Sequence, residues 1–140
     1  LLTSCYQSDT LPGVLVARFT GTRSGTDLTG TAIFEDDGSI FGPTLCEVHA
    51  DDVTHDFFSQ TVTLQNPVKP FTIVTASPDR TDLYEVRASW GGTTQRKYVI
   101  YHQSILVVFE WPEKFSKPEY DGTSPDIRFY NLDGEELPRE

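Results

Sequence analysis

Apolar residues in this chain recur mostly at every second position, in short runs closed by Gly, Pro, Asn or Asp. The densest run is 98–111, YVIYHQSILVVFEW, which holds no Gly, no Pro and no helix cap. Its polar centre, His102-Gln103-Ser104, predicts two short strands joined by a tight connection. In the second arm Ile105, Val107, Phe109 and Trp111 share one face, and Leu106 and Val108 the other. Both faces stay apolar until Glu110, as in a central strand covered on both sides. The cleanest alternation is 83–90, LYEVRASW, with Tyr84, Val86, Ala88 and Trp90 expected inward and Glu85, Arg87 and Ser89 outward. Gly91-Gly92 then reads as a turn into the central hairpin.

The other elements follow in order. LPGVLVARF (11–19) is a strand with Leu15, Ala17 and Phe19 inward, and TGTRSGTDLTG reads as a Gly/Thr/Ser-rich loop. A second strand, 28–34, ends in EDDGS, where Asp37-Gly38 suits a type I′ hairpin turn. Pro43 makes the third strand, 40–48, an edge or a broken strand, because proline cannot donate to a ladder. The segment 50–58, ADDVTHDFF, is the one place where a helical turn is expected, with Asp51 and Asp52 in its first turn. Phe58, Gln60, Val62 and Leu64 alternate as a strand, and 71–75 forms the next. After Trp111-Pro112 the chain turns polar and Pro-rich, PEKFSKPEYDGTSP, a long surface loop. DIRFY (126–130) is the last strand, Asp133-Gly134 a turn, and 135–140 an acidic, frayed end.

About eight or nine short strands with regular turn signals predict an all-β, antiparallel β-sandwich. An up-and-down, lipocalin-like β-barrel is the competing architecture, having the same strand count. Antibody-type anatomy is absent, since Cys5 and Cys46 both precede Trp90. At 140 residues the chain fits one domain, 11–140, with 1–10 as an N-terminal tether or extended segment.

Charge narrows the function classes. The net charge is −10, from 11 basic and 21 acidic residues, and the excess is spread over both halves of the chain. No basic stripe is present to release counterions from nucleic acid or to dock on anionic lipid. No apolar run approaches the ~20 residues that span a bilayer as a helix. The absence of Met points to a processed or excised chain. Leu2-Thr3-Ser4-Cys5 resembles the bacterial lipobox, in which Leu and two small residues precede a Cys that becomes lipidated. The resemblance implies a lipid tether through Cys5. A Cys5–Cys46 disulfide is the competing reading, and a buried free thiol at Cys46 the third. An extracytoplasmic, secreted or surface-tethered location is expected.

Candidate chemistry is sparse. HADDVTHD gathers His49, Asp51, Asp52 and His55, whose spacing on a helical turn would let a divalent metal be chelated. An acidic surface loop explains the same residues, and no metal or other cofactor is expected. The Asp-Gly pairs lack the ligand pattern of a calcium loop. No G-x-S-x-G elbow is present, His102 has no identifiable acidic orienter, and Glu110 with Glu113 is one acidic pair among many. No catalytic residue is assigned and an enzyme is not expected. Two aromatics stand apart: Phe115 and Tyr120 lie in the Pro-rich loop without periodic partners, and if exposed they mark a contact surface. The sequence therefore reads as a non-catalytic binding or interaction module for a protein or carbohydrate partner. A ligand-carrying barrel, a carbohydrate-binding module and a viral or phage surface domain are the alternatives.

Overall fold

The computed structural model describes residues 2–36, 41–50, 57–65, 68–76, 80–99, 105–120 and 122–138. It is all-β, with eleven strands in three antiparallel sheets among the described residues. The sheets are open, which excludes the barrel. The chain divides into two compact units, 1–54 and 55–140.

The first unit is a four-stranded meander: β1 (Leu2–Gln7), β2 (Val14–Arg23), β3 (Thr26–Asp36) and β4 (Phe41–Ala50), in that spatial order. Within 1–10, expected as a tether or an extended segment, Leu2–Gln7 form an edge strand, paired with β2 from Leu2↔Phe19 to Gln7↔Leu15. The expected Thr/Gly/Ser loop is a hairpin instead. Arg23 pairs with Thr26 across the two-residue turn Ser24-Gly25, whose φ values of 51° and 80° fit type I′. Threonine is a good strand former, so a composition read as a loop was compatible with pairing. On β2 the fully buried side is Val14, Val16 and Arg18, while the expected inward residues Leu15 and Phe19 are half-buried and only Ala17 is buried. Apolar residues occupy both parities there, so alternation alone could not choose the side. Pro43 does lie in an edge strand, and the β3–β4 register shifts beside it, between Ile33 and Phe34. The Asp37-Gly38 turn lies outside the described residues.

The second unit is a sandwich of two sheets. One has the order β5 (Phe57–Gln65), β6 (Val68–Ala76), β9 (Leu106–Glu110). The other runs β11 (Glu136–Leu137), β10 (Asp126–Tyr130), β7 (Glu85–Trp90), β8 (Thr93–Tyr98). Their inner faces share a core of Val74, Val86, Val107, Phe109, Trp111 and Phe129, with Phe57 stacked on Phe129 at 4.0 Å across the two sheets. The expected inward residues Val86, Ala88 and Trp90 are buried as read, and Tyr84 is half-buried.

The stretch 98–111 is not a hairpin. Tyr98 ends β8 in one sheet and Leu106 begins β9 in the other, and β9 is an edge strand rather than a central one. Its side-chain parity is as expected: Ile105, Val107, Phe109 and Trp111 enter the core, and Val108 is buried on the opposite face. Gly91-Gly92 closes the β7–β8 hairpin with both φ angles positive, at 55° and 82°. Within the segment 135–140, where fraying was expected, Glu136 and Leu137 are paired, as Phe129↔Leu137 and Tyr130↔Glu136.

Candidate functional site

The chain leaves β9 through Trp111, whose backbone N–H donates to the Pro70 carbonyl at 3.0 Å. Pro112 has no N–H and stops the ladder. The expected irregular loop 112–125 is instead a string of i→i+3 turns. Phe115 N–H donates to the Pro112 carbonyl, Tyr120 N–H to Lys117 and Thr123 N–H to Tyr120, at 2.9–3.1 Å. Two 3-10 turns result, Glu113–Ser116 and Pro118–Tyr120.

Three contacts pin this connection to the sandwich. Phe115 is buried at 3% exposure, stacked on Trp90 (centroids 4.9 Å) and edge-on to Trp111 (6.0 Å). Tyr120 is half-buried and edge-on to Phe115 at 4.8 Å. The Thr123 hydroxyl accepts from Trp90 Nε1 at 3.0 Å and donates to the Tyr120 carbonyl at 2.5 Å, using both its roles. Gly91 makes room for this: a Cβ there would run into the Phe115 ring and press on Tyr120. Of the two aromatics singled out as contact residues, Phe115 is therefore an anchor of the core. Burial leaves it little surface to offer a partner, and of the two Tyr120 is the one that faces the surface in part.

Between this connection and edge strand β5 lies a groove of about 700 Å³, lined by Thr61 and Thr63 on one side and by Ser116, Lys117, Tyr120 and Ser124 on the other, with Trp90 and Phe115 at its base. The size is that of a site for a small ligand or a short peptide segment. Its strand wall carries a hydrogen-bond relay from the core. Buried Trp111 Nε1 donates to Thr72 Oγ1 at 2.8 Å, and Thr72 Oγ1 lies 2.9 Å from Thr61 Oγ1. With Thr72 at 1% exposure, the direction that leaves no buried donor unpaired is Trp111 to Thr72 to Thr61. The Thr61 hydroxyl proton is then available at the groove surface. Sequence reading missed Thr61, Thr63 and Ser124. The signal for the first two was present, as a period-2 pair of threonines on one face of β5.

A second polar cluster covers the outer face of the β7–β10 sheet. Glu85 accepts from Arg87 Nε at 2.8 Å and Nη2 at 3.2 Å, with Arg96 Nε at 4.0 Å. The Arg87 hydrogen bond, reinforced by the charges of Arg87 and Arg96, outweighs burial and holds the Glu85 carboxyl below its usual range.

Of the candidate metal ligands only His49 falls within the described residues. His49 lies in β4 opposite Thr29, and Asp51, Asp52, His55 and His102 lie outside the described residues. Among the described residues no group of three His, Cys, Asp or Glu side chains is placed to hold a metal. Cys5 is an exposed free thiol. It stands on the same row as Ala17, Ala32 and Cys46, at opposite edges of the four-stranded sheet. Three strand spacings, about 14 Å, separate the two backbones, beyond disulfide reach of about 7 Å between Cα atoms. The disulfide reading is therefore corrected by the topology.

No family model, curated protein or solved structure matches this chain.

Proposed function

We propose that this chain is a non-catalytic interaction module whose contact site is the groove between β5 and the 112–125 connection. The observation that carries the reading is the construction of that groove. One wall is a regular strand, and the other is fastened to the core by Phe115 and Thr123, so the surface is held in shape before any partner arrives. Preorganisation of this kind lowers the entropic cost of binding. Among the described lining residues the ionisable side chains are Glu113, Lys117 and Tyr120, with no histidine or cysteine, which suits recognition better than acid–base or nucleophilic chemistry.

A protein segment is the partner class this reading favours over a sugar. Sugar platforms need open aromatic faces, yet Trp90 and Phe115 stack on each other and are buried. The groove instead offers hydroxyls, the Tyr120 ring and a donor at Thr61, which suit the carbonyls and side chains of an extended peptide.

The test is selection from a random-peptide phage library on the full 140-residue chain, with Ser124→Trp, an exposed position, as the blocked control. Selected clones are expected to bind the blocked variant at least about tenfold more weakly. Clones that bind both proteins equally overturn the reading. Selective, Tyr120-dependent binding on a glycan array would replace it with the sugar reading.

A further inference from the structure

The β7–β8 hairpin concentrates positive charge in an acidic chain. From Glu85 to Tyr98 it holds Arg87, Arg96 and Lys97 against the one acid, Glu85, while the whole chain carries −10. The ladder sets Arg128, Arg87 and Arg96 in one row across β10, β7 and β8. The next row on that face is Tyr130, Glu85 and Tyr98.

The three arginines differ in what holds them. Arg128 is paired with Asp126 at 2.7 Å and with Glu136 at 3.0 Å. Arg87 is bound to Glu85 through two nitrogens and lies over the Tyr130 ring at 3.9 Å. Arg96 reaches the same Glu85 oxygen only at 4.0 Å, and its side chain is 58% exposed. Two residues along, on the same face, Tyr98 is 59% exposed, with its ring against Tyr84 at 5.3 Å. Glu85 is buried beneath them, so this part of the face turns guanidinium and phenol outward rather than carboxylate. The alternate side chains of β8 lean toward the sandwich: Gln95 donates to the Glu110 carbonyl at 2.9 Å, and the Lys97 ammonium lies 5.9 Å from the Phe109 ring.

We infer that the outer face of the β7–β8 hairpin docks an acidic, extended segment of a protein partner, with Arg96 as the charged anchor and Tyr98 as the apolar one. Charge complementarity names the occupant. The Arg96 fork matches a carboxylate in a two-pronged geometry that a lysine cannot reproduce. Tyrosine and arginine are also the side chains that most often dominate interface energetics. β8 stands at the end of its sheet's order, so a segment running alongside it in extended form places every second residue, about 7 Å apart, over the Arg96–Tyr98 row. The acidity of the rest of the chain limits the occupant to a short acidic segment and repels a long polyanion.

The probe is a short fluorescein-labelled peptide alternating Glu and Val, compared with its Lys–Val counterpart by anisotropy on the full chain. The acidic peptide is expected to bind at least about tenfold more tightly than the basic one, and to weaken as salt rises. Arg96→Ala and Tyr98→Ala should each weaken it by about fivefold or more, with Arg96→Lys recovering only part of the loss. Both positions are exposed, so the variants should melt within a few degrees of the parent. Ser124→Trp, which blocks the groove, should leave the affinity unchanged, so this surface and the groove stand or fall separately. Equal binding of the two peptides, or full retention in both alanine variants, overturns the inference. So does loss in Ser124→Trp, or tighter binding of single-stranded oligothymidylate than of the acidic peptide.

Discussion

The indole of Trp90 and the ring of Phe115 lie nearly parallel, 14° apart, with their centroids separated by 4.9 Å. Trp90 ends a strand and Phe115 sits in a Pro-rich connection, so the stack joins the regular sheet to an irregular segment. It also explains why 112–125 keeps its shape although it contributes no strand.

Phe115→Ala should therefore act as a core truncation. It removes a buried ring that touches Trp90, Trp111 and Tyr120, and a loss of about 3–5 kcal/mol is expected from urea unfolding. Thr123→Val should cost less, about 1–3 kcal/mol, by depriving Trp90 Nε1 of its acceptor. A Phe115→Ala variant as stable as a surface mutant would contradict the packing described.

The two glycines of the β7–β8 turn should respond differently to alanine. Both have positive φ, so each substitution costs at least about 1 kcal/mol in backbone conformation. A Cβ at Gly92 meets nothing within 4 Å, whereas one at Gly91 runs into Phe115 and crowds Tyr120. Gly91→Ala should therefore be clearly the more destabilising of the pair. Thermal melting of the two variants side by side checks this, and equal shifts would rule out the close approach.

The threonine relay makes a graded prediction. Thr72→Val keeps the volume but leaves the buried Trp111 N–H without its acceptor, at a cost of about 1–3 kcal/mol. Thr61→Val leaves that bond intact and removes only the acceptor of the Thr72 hydroxyl, at a groove wall open to water, so it should cost less than Thr72→Val. Denaturant midpoints should follow that order, and a reversal would mean that the relay does not run through Thr72.

How much of this was legible follows from what each feature depends on. The parity of Ile105, Val107, Phe109 and Trp111, the inward row Val86, Ala88 and Trp90, and the Gly91-Gly92 turn are local, and period-2 patterning reads them directly. Sheet membership is not local. Nothing in YVIYHQSILVVFEW says that Tyr98 and Leu106 pair with different partners, because a tight hairpin and a crossover between sheets share one pattern. The connection 112–125 was found as the place to search because it broke the alternation. The role of Phe115 within it was not legible, since its burial depends on a strand end distant in sequence. Thr61 and Thr63 were overlooked because hydroxyl residues on a half-buried strand look the same whether or not a groove opens above them.

The cysteines should stay reduced within one chain. Cys5 and Cys46 share a row of the first sheet but stand at its two edges. Bridging them would require two strands between them to be displaced. Thiol titration of the denatured, unreduced monomer should find two thiols per chain, the full cysteine count. A mass two units below the reduced chain would show that the edges meet and that the open meander is wrong.

Acid should weaken the second unit through Glu85. Its carboxyl is held below the ordinary value of 4.5, chiefly by the Arg87 hydrogen bond. A carboxyl whose folded pKa lies below its unfolded one contributes stability that is complete above the unfolded value and is lost as pH falls through the folded value. The contribution should therefore be full at neutral pH and decline only below about pH 4.5. Glu85→Gln, which keeps the shape and removes the charge, should melt below the parent at neutral pH and converge on it in acid. A gap between the two that stays constant from neutral to acid pH would show that the Arg87–Glu85 charge interaction contributes nothing and that the substitution acts through packing alone. The same measurement bears on Arg96, the weaker of Glu85's two partners at 4.0 Å. If Arg96→Ala leaves this pH dependence intact, Arg87 alone holds the buried carboxylate, and the Arg96 fork is free for a partner.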